Sequence, residues 1–292
     1  MFGAVPKYVE PLFRPPAEAD SLIFQVAYGC PHNSCRFCGM YKRVRYTERS
    51  QAEVLKEMKK AARRYSDTRR VFLADGDVMV LPFETLKLYL EQLNECFPRL
   101  SRVNVYANGS SIMNKTESEL AELHKLKLNT LYLGLESGDQ KLLDLVGKGE
   151  NVIGMISAVN RAQSIGLKCS VMILLGLGGS SRSNRHAALT ADIINQMQPR
   201  LLSALRFVLV PGSVMFEDYM PVSEYQAVAE LREMISRFEL DRTVFRANHS
   251  SNPVPLAGRF PHDRESLLAD LDRLLDSDVL NRNGTGALPL FL

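Results

Sequence analysis

The chain has 292 residues, of which 46% are hydrophobic and 24% charged, and its formal net charge is +3. This balance is that of a globular protein with a core large enough to need no disulfides, and the charge is too close to neutral to indicate nucleic acid. No apolar run reaches the roughly 18 residues of a membrane helix. The N-terminus lacks a basic segment followed by an apolar core, so we expect a cytoplasmic protein without a secretory signal.

After a proline-rich lead-in, apolar runs of strand length alternate with segments of helical period. The predicted strands cover residues 21–29, 69–74, 101–107, 129–135, 168–176 and 202–210. Three helices are expected to begin with a capping box, formed by Ser50 with Glu53, Thr116 with Glu119 and Ser223 with Gln226. Beyond residue 240 the sequence predicts a short strand over 243–247 and a helix over 263–276.

Strands that are apolar almost throughout and alternate with amphipathic helices predict an α/β fold, a parallel sheet covered by helices. Six strand–helix units fit into the middle of the chain. We therefore predict a lead-in over residues 1–20, a six-unit core over 21–240 and a C-terminal extension over 241–292.

A polar or glycine-rich motif follows each of the six strands. In chain order the motifs read GCPHNSCRFCGMY, ADGDV, ANGSS, ESGD, GLGGSS and VPGS. In a barrel of parallel strands, the loops after the carboxyl ends of the strands build the active site. Six such motifs in the same position predict an enzyme.

The first motif carries three of the five cysteines, Cys30, Cys35 and Cys38, in the pattern C-x4-C-x2-C. Three thiolates in one short loop can bind an iron–sulfur cubane and leave its fourth iron open. The alternative is a zinc site completed by His32, but zinc modules usually pair two separated knuckles, and this chain has one. Cys96 and Cys169 stand alone, on a predicted helix and in an apolar strand, and are interpreted as packing residues.

The clustered cysteines, Phe37 just before the third of them and the six-unit order resemble the radical S-adenosylmethionine (radical SAM) superfamily over residues 20–240. The chain differs from the commonest spacing of that superfamily, C-x3-C-x2-C, by one extra residue. It also looks distantly like the anaerobic coproporphyrinogen dehydrogenase group. The resemblance implies a partial TIM-type (β/α)6 barrel with a short C-terminal extension. It further implies a [4Fe-4S] cluster on Cys30, Cys35 and Cys38.

The same resemblance implies an oxidoreductase that cleaves S-adenosylmethionine reductively and abstracts hydrogen from a substrate with the 5′-deoxyadenosyl radical. Residues that follow the second, third and fourth predicted strands are implied as its cofactor-binding residues. They are Asp75, Gly76, Asp77, Asn108, Ser110, Glu136, Ser137 and Lys148. Asp77 would bind the methionine amino group, and Glu136 the ribose or the methionine carboxylate. The alternatives are a plain Asp-Gly turn for Asp77 and, for Glu136, a carboxylate at the rim of the sheet that is satisfied within the protein.

A small-molecule substrate is favoured over a macromolecule, because no RNA-binding domain is appended. The cluster would need an electron donor such as flavodoxin or ferredoxin, and neither a membrane nor nucleic acid is expected as a partner. Two other classes stay open. One is a non-catalytic cluster or haem carrier on the same fold, and the other is a zinc-stabilised interaction domain.

Overall fold

The computed structural model describes Pro6, residues 8–209 and residues 214–286. The strands in chain order are β1 (Leu22–Gln25), β2 (Ala27–Tyr28), β3 (Thr47–Glu48), β4 (Arg70–Ala74), β5 (Arg102–Ala107), β6 (Leu128–Glu136), β7 (Lys168–Leu175), β8 (Leu201–Arg206), β9 (Val244–Ala247) and β10 (Leu256–Arg259). The helices are α1 (Gln51–Ala62), α2 (Phe83–Cys96), α3 (Gly109–Met113), α4 (Glu117–Lys125), α5 (Gln140–Leu145), α6 (Val152–Ser164), α7 (Ser183–Met197), α8 (Glu224–Arg237) and α9 (Arg264–Asp276).

The main sheet follows the order β1, β4, β5, β6, β7, β8, β9, β10, so that its strands are neighbours in the order in which the chain makes them. The pairs β1–β4, β4–β5, β5–β6, β7–β8 and β8–β9 are parallel, and β9–β10 is antiparallel. Helices separate the successive parallel strands. This topology confirms the predicted α/β class. Within the described part of the chain, no helix is both long and apolar enough to cross a membrane.

Three predictions of local structure need correction. The first predicted strand is interrupted after Gln25, because Ala27 and Tyr28 pair with β3 in a separate two-stranded sheet. The polar segment after β9 contains an unpredicted strand, β10, whose sequence Leu-Ala-Gly-Arg has neither alternation nor β-branched residues. The capping boxes at Thr116 and Ser223 are present, but the Ser50 side chain caps nothing. The motif VPGS lies outside the described residues.

Two compact units can be distinguished by their internal contacts. The first comprises Met1–Asn33, Cys38–Leu133 and Arg161–Cys169. Its strands β1, β4 and β5 are buried almost throughout. The same unit contains a buried cluster of hydrogen-bonded polar side chains. The buried carboxylate of Glu18 accepts hydrogen bonds from Tyr132 Oη at 2.6 Å and from Asn104 Nδ2 at 2.7 Å. This satisfies the charge inside the unit and ties the lead-in to β5 and β6.

The second unit comprises Ser34–Phe37, Gly134–Asn160 and Ser170–Leu292. One of its apolar clusters consists of the buried side chains of Leu142, Val146, Leu177 and Phe216, with Phe37 packed against them. The short segment of the cysteine loop that belongs to this unit is therefore anchored by an aromatic residue. These units are defined by contacts between residues and do not test the predicted domain boundaries. The boundaries near residues 20 and 240 therefore stay predictions.

Candidate active site

The three clustered cysteines lie in the loop of residues 29–46, which connects β2 to β3. The two strands pair antiparallel, with Ala27 opposite Glu48 and Tyr28 opposite Thr47, so the ends of the loop are closed by a hairpin. Cys30, Cys35 and Cys38 are partly exposed, and none of the three forms a disulfide. A closed loop with partly exposed thiols leaves the sulfur atoms accessible to an incoming metal centre.

Cys30 lies directly against Gly76. The amide of Gly76 donates to the carbonyl of Gly29 at 3.1 Å, and a Cβ atom at position 76 would stand 2.6 Å from Cβ of Cys30. A side chain would push the cysteine away, so only glycine fits. The sequence interpretation placed Gly76 against the cofactor, whereas the structure places it against a cysteine.

The carboxylate of Asp75 lies among buried side chains. It accepts hydrogen bonds from Tyr41 Oη at 2.9 Å and from Gln25 Nε2 at 3.1 Å. Burial raises the pKa of Asp75 to about 6, although these two donors act in the opposite direction. Tyr41 follows the third cysteine and packs edge-on against Phe13, with the ring centroids 5.3 Å apart. Asp75 thus connects the end of β4 to the cysteine loop.

Asp77 faces the residues that follow β5. Its Oδ1 accepts from Ser111 Oγ at 3.0 Å and its Oδ2 accepts from Asn108 Nδ2 at 3.1 Å. Asp77 and Ser111 are buried, Asn108 is half-buried and Ser110 is exposed. The structure therefore brings together Asp77 and Asn108, two of the predicted cofactor residues. A carboxylate that already accepts two hydrogen bonds keeps lone pairs for a cationic group.

Glu136, the last residue of β6, forms a buried ion pair with Lys148. Nζ of Lys148 is 3.2 Å from Oε1 of Glu136, and the side chains are only 8% and 10% exposed. Glu136 has a φ of 63°, and its carboxylate lies where a side chain at Gly134 would be. Burial lowers the pKa of Lys148, but the negative charges of Glu136 and Cys35 outweigh it, so the pKa is raised. Both residues were predicted as cofactor ligands, and their pairing was not.

Ser137 is fully buried, and its hydroxyl is used within the protein. Ser137 Oγ is 2.8 Å from Nδ1 of His186 and accepts from the amide of Asp139 at 3.0 Å. The sequence interpretation missed His186 and Glu230, a carboxylate 3.5 Å from the same ring. The available signal was a polar residue on an otherwise apolar helix face, since Glu230 lies among Ala227, Leu231 and Met234 in α8.

The donor set of the cysteine loop fits an iron–sulfur cluster. Among the residues that the structure describes, no three His, Cys, Asp or Glu side chains form a group that could hold a single metal ion. In a cubane each cysteine binds a different iron, so the three thiols need not converge on one atom. Three cysteines in one loop, none of them in a disulfide, supply the kind of ligand that such a cluster uses.

Comparisons with known proteins agree with this arrangement. A family model of the radical SAM superfamily matches residues 24–189, more than half of the chain. An uncharacterised protein of Methanocaldococcus jannaschii is 22% identical over 234 residues, which make up 77% of this chain and 69% of that protein.

Two solved structures have a similar fold. Coproporphyrinogen III oxidase of Escherichia coli, a radical SAM enzyme, is 17% identical with a TM-score of 0.58, and the match covers 74% of this chain and 51% of that enzyme. Methylornithine synthase is 18% identical with a TM-score of 0.52, with 87% and 81% covered. The chain thus spans about half the length of the Escherichia coli enzyme. At these identities the likeness shows the fold alone, and it confirms the predicted fold class.

Proposed function

Because this chain belongs to the radical SAM superfamily, and is therefore an enzyme whose cofactors are a [4Fe-4S] cluster and S-adenosylmethionine, we propose that it abstracts hydrogen from a small-molecule substrate. When bound, the reduced cluster supplies the electron that splits S-adenosylmethionine into methionine and a 5′-deoxyadenosyl radical. The residues of the chain hold the cofactors, bring the substrate carbon to the radical carbon and exclude water. The observation that carries the proposal is the loop closed by β2 and β3, with three cysteines that form no disulfide.

Cys30, Cys35 and Cys38 are proposed as the protein ligands of the cluster. The backbone is held by a close contact at Cys30 and by a hydrogen bond next to Cys35. Gly76 packs on Cys30, and the amide of Arg36, next to Cys35, donates to the carbonyl of Val146 at 2.7 Å. A loop fixed at these points loses little conformational entropy when the cluster binds, which favours binding.

The polar residues after β4, β5 and β6 are proposed to bind S-adenosylmethionine. Asp77 is suited to the ammonium group, because its carboxylate is oriented by Asn108 and Ser111. Glu136 is suited to ribose hydroxyls, because a carboxylate can accept two hydrogen bonds and Lys148 pairs with only one of its oxygen atoms, Oε1. Asp75, Gly76 and Ser137 are proposed to support the residues that bind the cofactor rather than to contact it themselves. Each of them already contacts another part of the chain. Ser110, which is exposed, is proposed as a contact of cofactor or substrate.

A separate electron-transfer protein with an acidic surface, of the flavodoxin or ferredoxin kind, is proposed as the reductant. Between residues 30 and 47 the sequence has four basic side chains and no acidic one. Lys42, Arg43 and Arg45 are exposed, and none forms an ion pair within the described part of the chain. Unpaired basic side chains beside the cysteines would attract an acidic partner to the cluster. None of the five cysteines is in a disulfide, which agrees with a reducing compartment such as the cytoplasm.

The experiment that tests the function is anaerobic reconstitution with iron and sulfide, followed by incubation with S-adenosylmethionine and a strong chemical reductant. We expect equimolar methionine and 5′-deoxyadenosine, and neither product from the Cys35→Ala protein. Four irons per chain with no cleavage of S-adenosylmethionine, or haem bound after anaerobic purification, would favour the non-catalytic carrier. One tightly bound zinc without iron would favour the interaction domain.

A further inference from the structure

A buried polar network joins two loops of the second unit to helices α7 and α8. Its centre is Glu230, which lies on α8 and has a fully buried side chain. Oε1 of Glu230 accepts from the amide of Gly176 at 2.7 Å, and Oε2 accepts from the hydroxyl of Ser183. The same carboxylate is 3.5 Å from Nε2 of His186. One side chain therefore contacts both the loop after β7 and helix α7.

The network continues from His186 to the residues after β6. Nε2 of His186 also lies 3.1 Å from the carbonyl oxygen of Leu174, so this nitrogen faces two acceptors and must carry a proton. The other ring nitrogen, Nδ1, is 2.8 Å from Ser137 Oγ. Thr190, also on α7, accepts from the amide of Gly138 at 2.9 Å. The backbone that follows Ser137 is thus fixed by buried groups, because the amides of Gly138 and Asp139 both donate to buried hydroxyls.

A buried carboxylate is costly unless donors surround it, so its presence here needs a reason. Burial raises the pKa of Glu230, and His186, Ser183 and the Gly176 amide act against this effect. A neutral apolar side chain could pack α8 against α7 without that cost. It could not accept from Gly176 or orient the ring of His186.

We propose that Glu230 is a positioning residue for S-adenosylmethionine binding, which acts through His186 and Ser137 on the adjacent Glu136. This rests on the proposed function, because it assumes that Glu136 contacts the cofactor. Glu136 has a φ of 63°, a conformation that side-chain-bearing residues seldom adopt. Contacts of the neighbouring residues must therefore maintain this backbone conformation. The amides of Gly138 and Asp139 donate hydrogen bonds to the side chains of Thr190 and Ser137.

The test measures the affinity for S-adenosylmethionine in a double-mutant cycle. Cofactor is titrated into anaerobic wild-type, Glu230→Gln, Glu136→Ala and doubly substituted proteins, with the cluster spectrum as readout. We expect Glu230→Gln to weaken binding about tenfold in the wild-type background and less than about twofold in the Glu136→Ala background. Glu233→Gln is the matched control, an exposed carboxylate on the same helix that pairs with Arg237, and it should change nothing.

A second readout does not require the cofactor. Hydrogen exchange at the amides of residues 136–139 should be faster in Glu230→Gln and in Ser137→Ala than in Glu233→Gln. An equal loss of affinity in both backgrounds, or unchanged exchange, overturns the proposal, because Glu230 would then stabilise the fold without acting on Glu136. A wild-type protein that binds no S-adenosylmethionine overturns the proposed function instead, and the exchange experiment still decides the positioning role.

Discussion

The ammonium of Lys148 and the carboxylate of Glu136 are 3.2 Å apart and almost completely buried, although the two residues are separated by a turn and helix α5. Glu136 ends a strand of the main sheet, and Lys148 follows the helix after it. Each charge compensates the other in the protein interior, where an unpaired buried ion lowers stability. Removing one partner should therefore lower the stability of the protein strongly, whereas removing both charges should lower it much less.

Lys148→Met is therefore expected to destabilise the protein by about 3–5 kcal/mol, because it leaves the Glu136 carboxylate buried without a partner. The double substitution Glu136→Gln with Lys148→Met should recover most of that loss, since no charge remains. Arg99→Met is the control, because Arg99 pairs with Asp67 on the surface at 53% and 81% exposure. This substitution should lower the free energy of unfolding by at most about 1 kcal/mol. Anaerobic urea unfolding measures all three, and equal losses for Lys148→Met and Arg99→Met would contradict the expectation.

Alanine at Cys30, Cys35 or Cys38 is expected to abolish the cluster, measured as iron and sulfide per chain after anaerobic reconstitution. Alanine at Cys96 or Cys169 removes a thiol of the same chemistry from a helix and from a buried strand. These two variants should keep the iron and lose stability on the order of 1 kcal/mol. If Cys169→Ala lost as much iron as Cys35→Ala, the ligand assignment would be wrong.

Asp77→Ala should weaken the binding of S-adenosylmethionine roughly ten- to a hundredfold, because a hydrogen bond to a charged group is worth about 1.5–3 kcal/mol. Asn108→Ala should have a smaller effect in the same direction, since it removes one of the two donors that orient Asp77. The iron content should not change, as neither residue is a proposed ligand. Asp67→Ala, an exposed carboxylate, serves as control. Titration of the cofactor into each protein, with the cluster spectrum as readout, measures the affinities, and an unchanged affinity in Asp77→Ala would remove this residue from the site.

The sequence predicted the positions of the strands better than it predicted the contacts between side chains. β4 and β5 begin within one residue of the predicted limits, because buried strands are rich in apolar residues. Asp77, Asn108 and Glu136 were singled out for a related reason, as polar residues at or after the end of an apolar strand, and their role in cofactor binding stays a prediction. β10 was missed, since four residues with a glycine carry no periodic signal.

The contacts of these polar residues could not be predicted, because they depend on the tertiary fold. Nothing in the spacing of Glu136 and Lys148 distinguishes an ion pair from two separate ligands. The direction of a side chain also depends on backbone angles that the sequence does not give. Asp75 and Asp77 are two residues apart in one motif, yet the first contacts Tyr41 and the second contacts Ser111.

Asp75 is expected to make the stability of the protein depend on pH between about 4 and 6. Its pKa of about 6 in the folded chain lies above the ordinary value of 3.8, so the folded state binds the proton more tightly than the unfolded state. The free energy of unfolding should therefore fall as the pH rises through this window, by about 1–3 kcal/mol. Asp75→Asn cannot ionise, and its unfolding curve should be flatter. Urea unfolding from pH 4 to 7 measures the difference, and parallel curves for the two proteins would show that Asp75 does not titrate in this range.

Reduction of the cluster by an acidic electron-transfer protein is expected to depend on the basic side chains beside the cysteines. Opposite charges accelerate association, and salt screens them, so the reduction rate with flavodoxin should fall as ionic strength rises. Replacing both Arg43 and Arg45 by Glu should slow the reduction about tenfold at low salt, because the two exposed positions would then repel the donor. Replacing Lys59 and Lys60, which are exposed on α1, makes the same change of charge elsewhere and should have little effect. Stopped-flow absorption of the cluster measures the rates. Dithionite, a small reductant, should reduce all three proteins alike, and a loss that appears equally with dithionite would mean that the substitutions damage the cluster rather than the encounter with the donor.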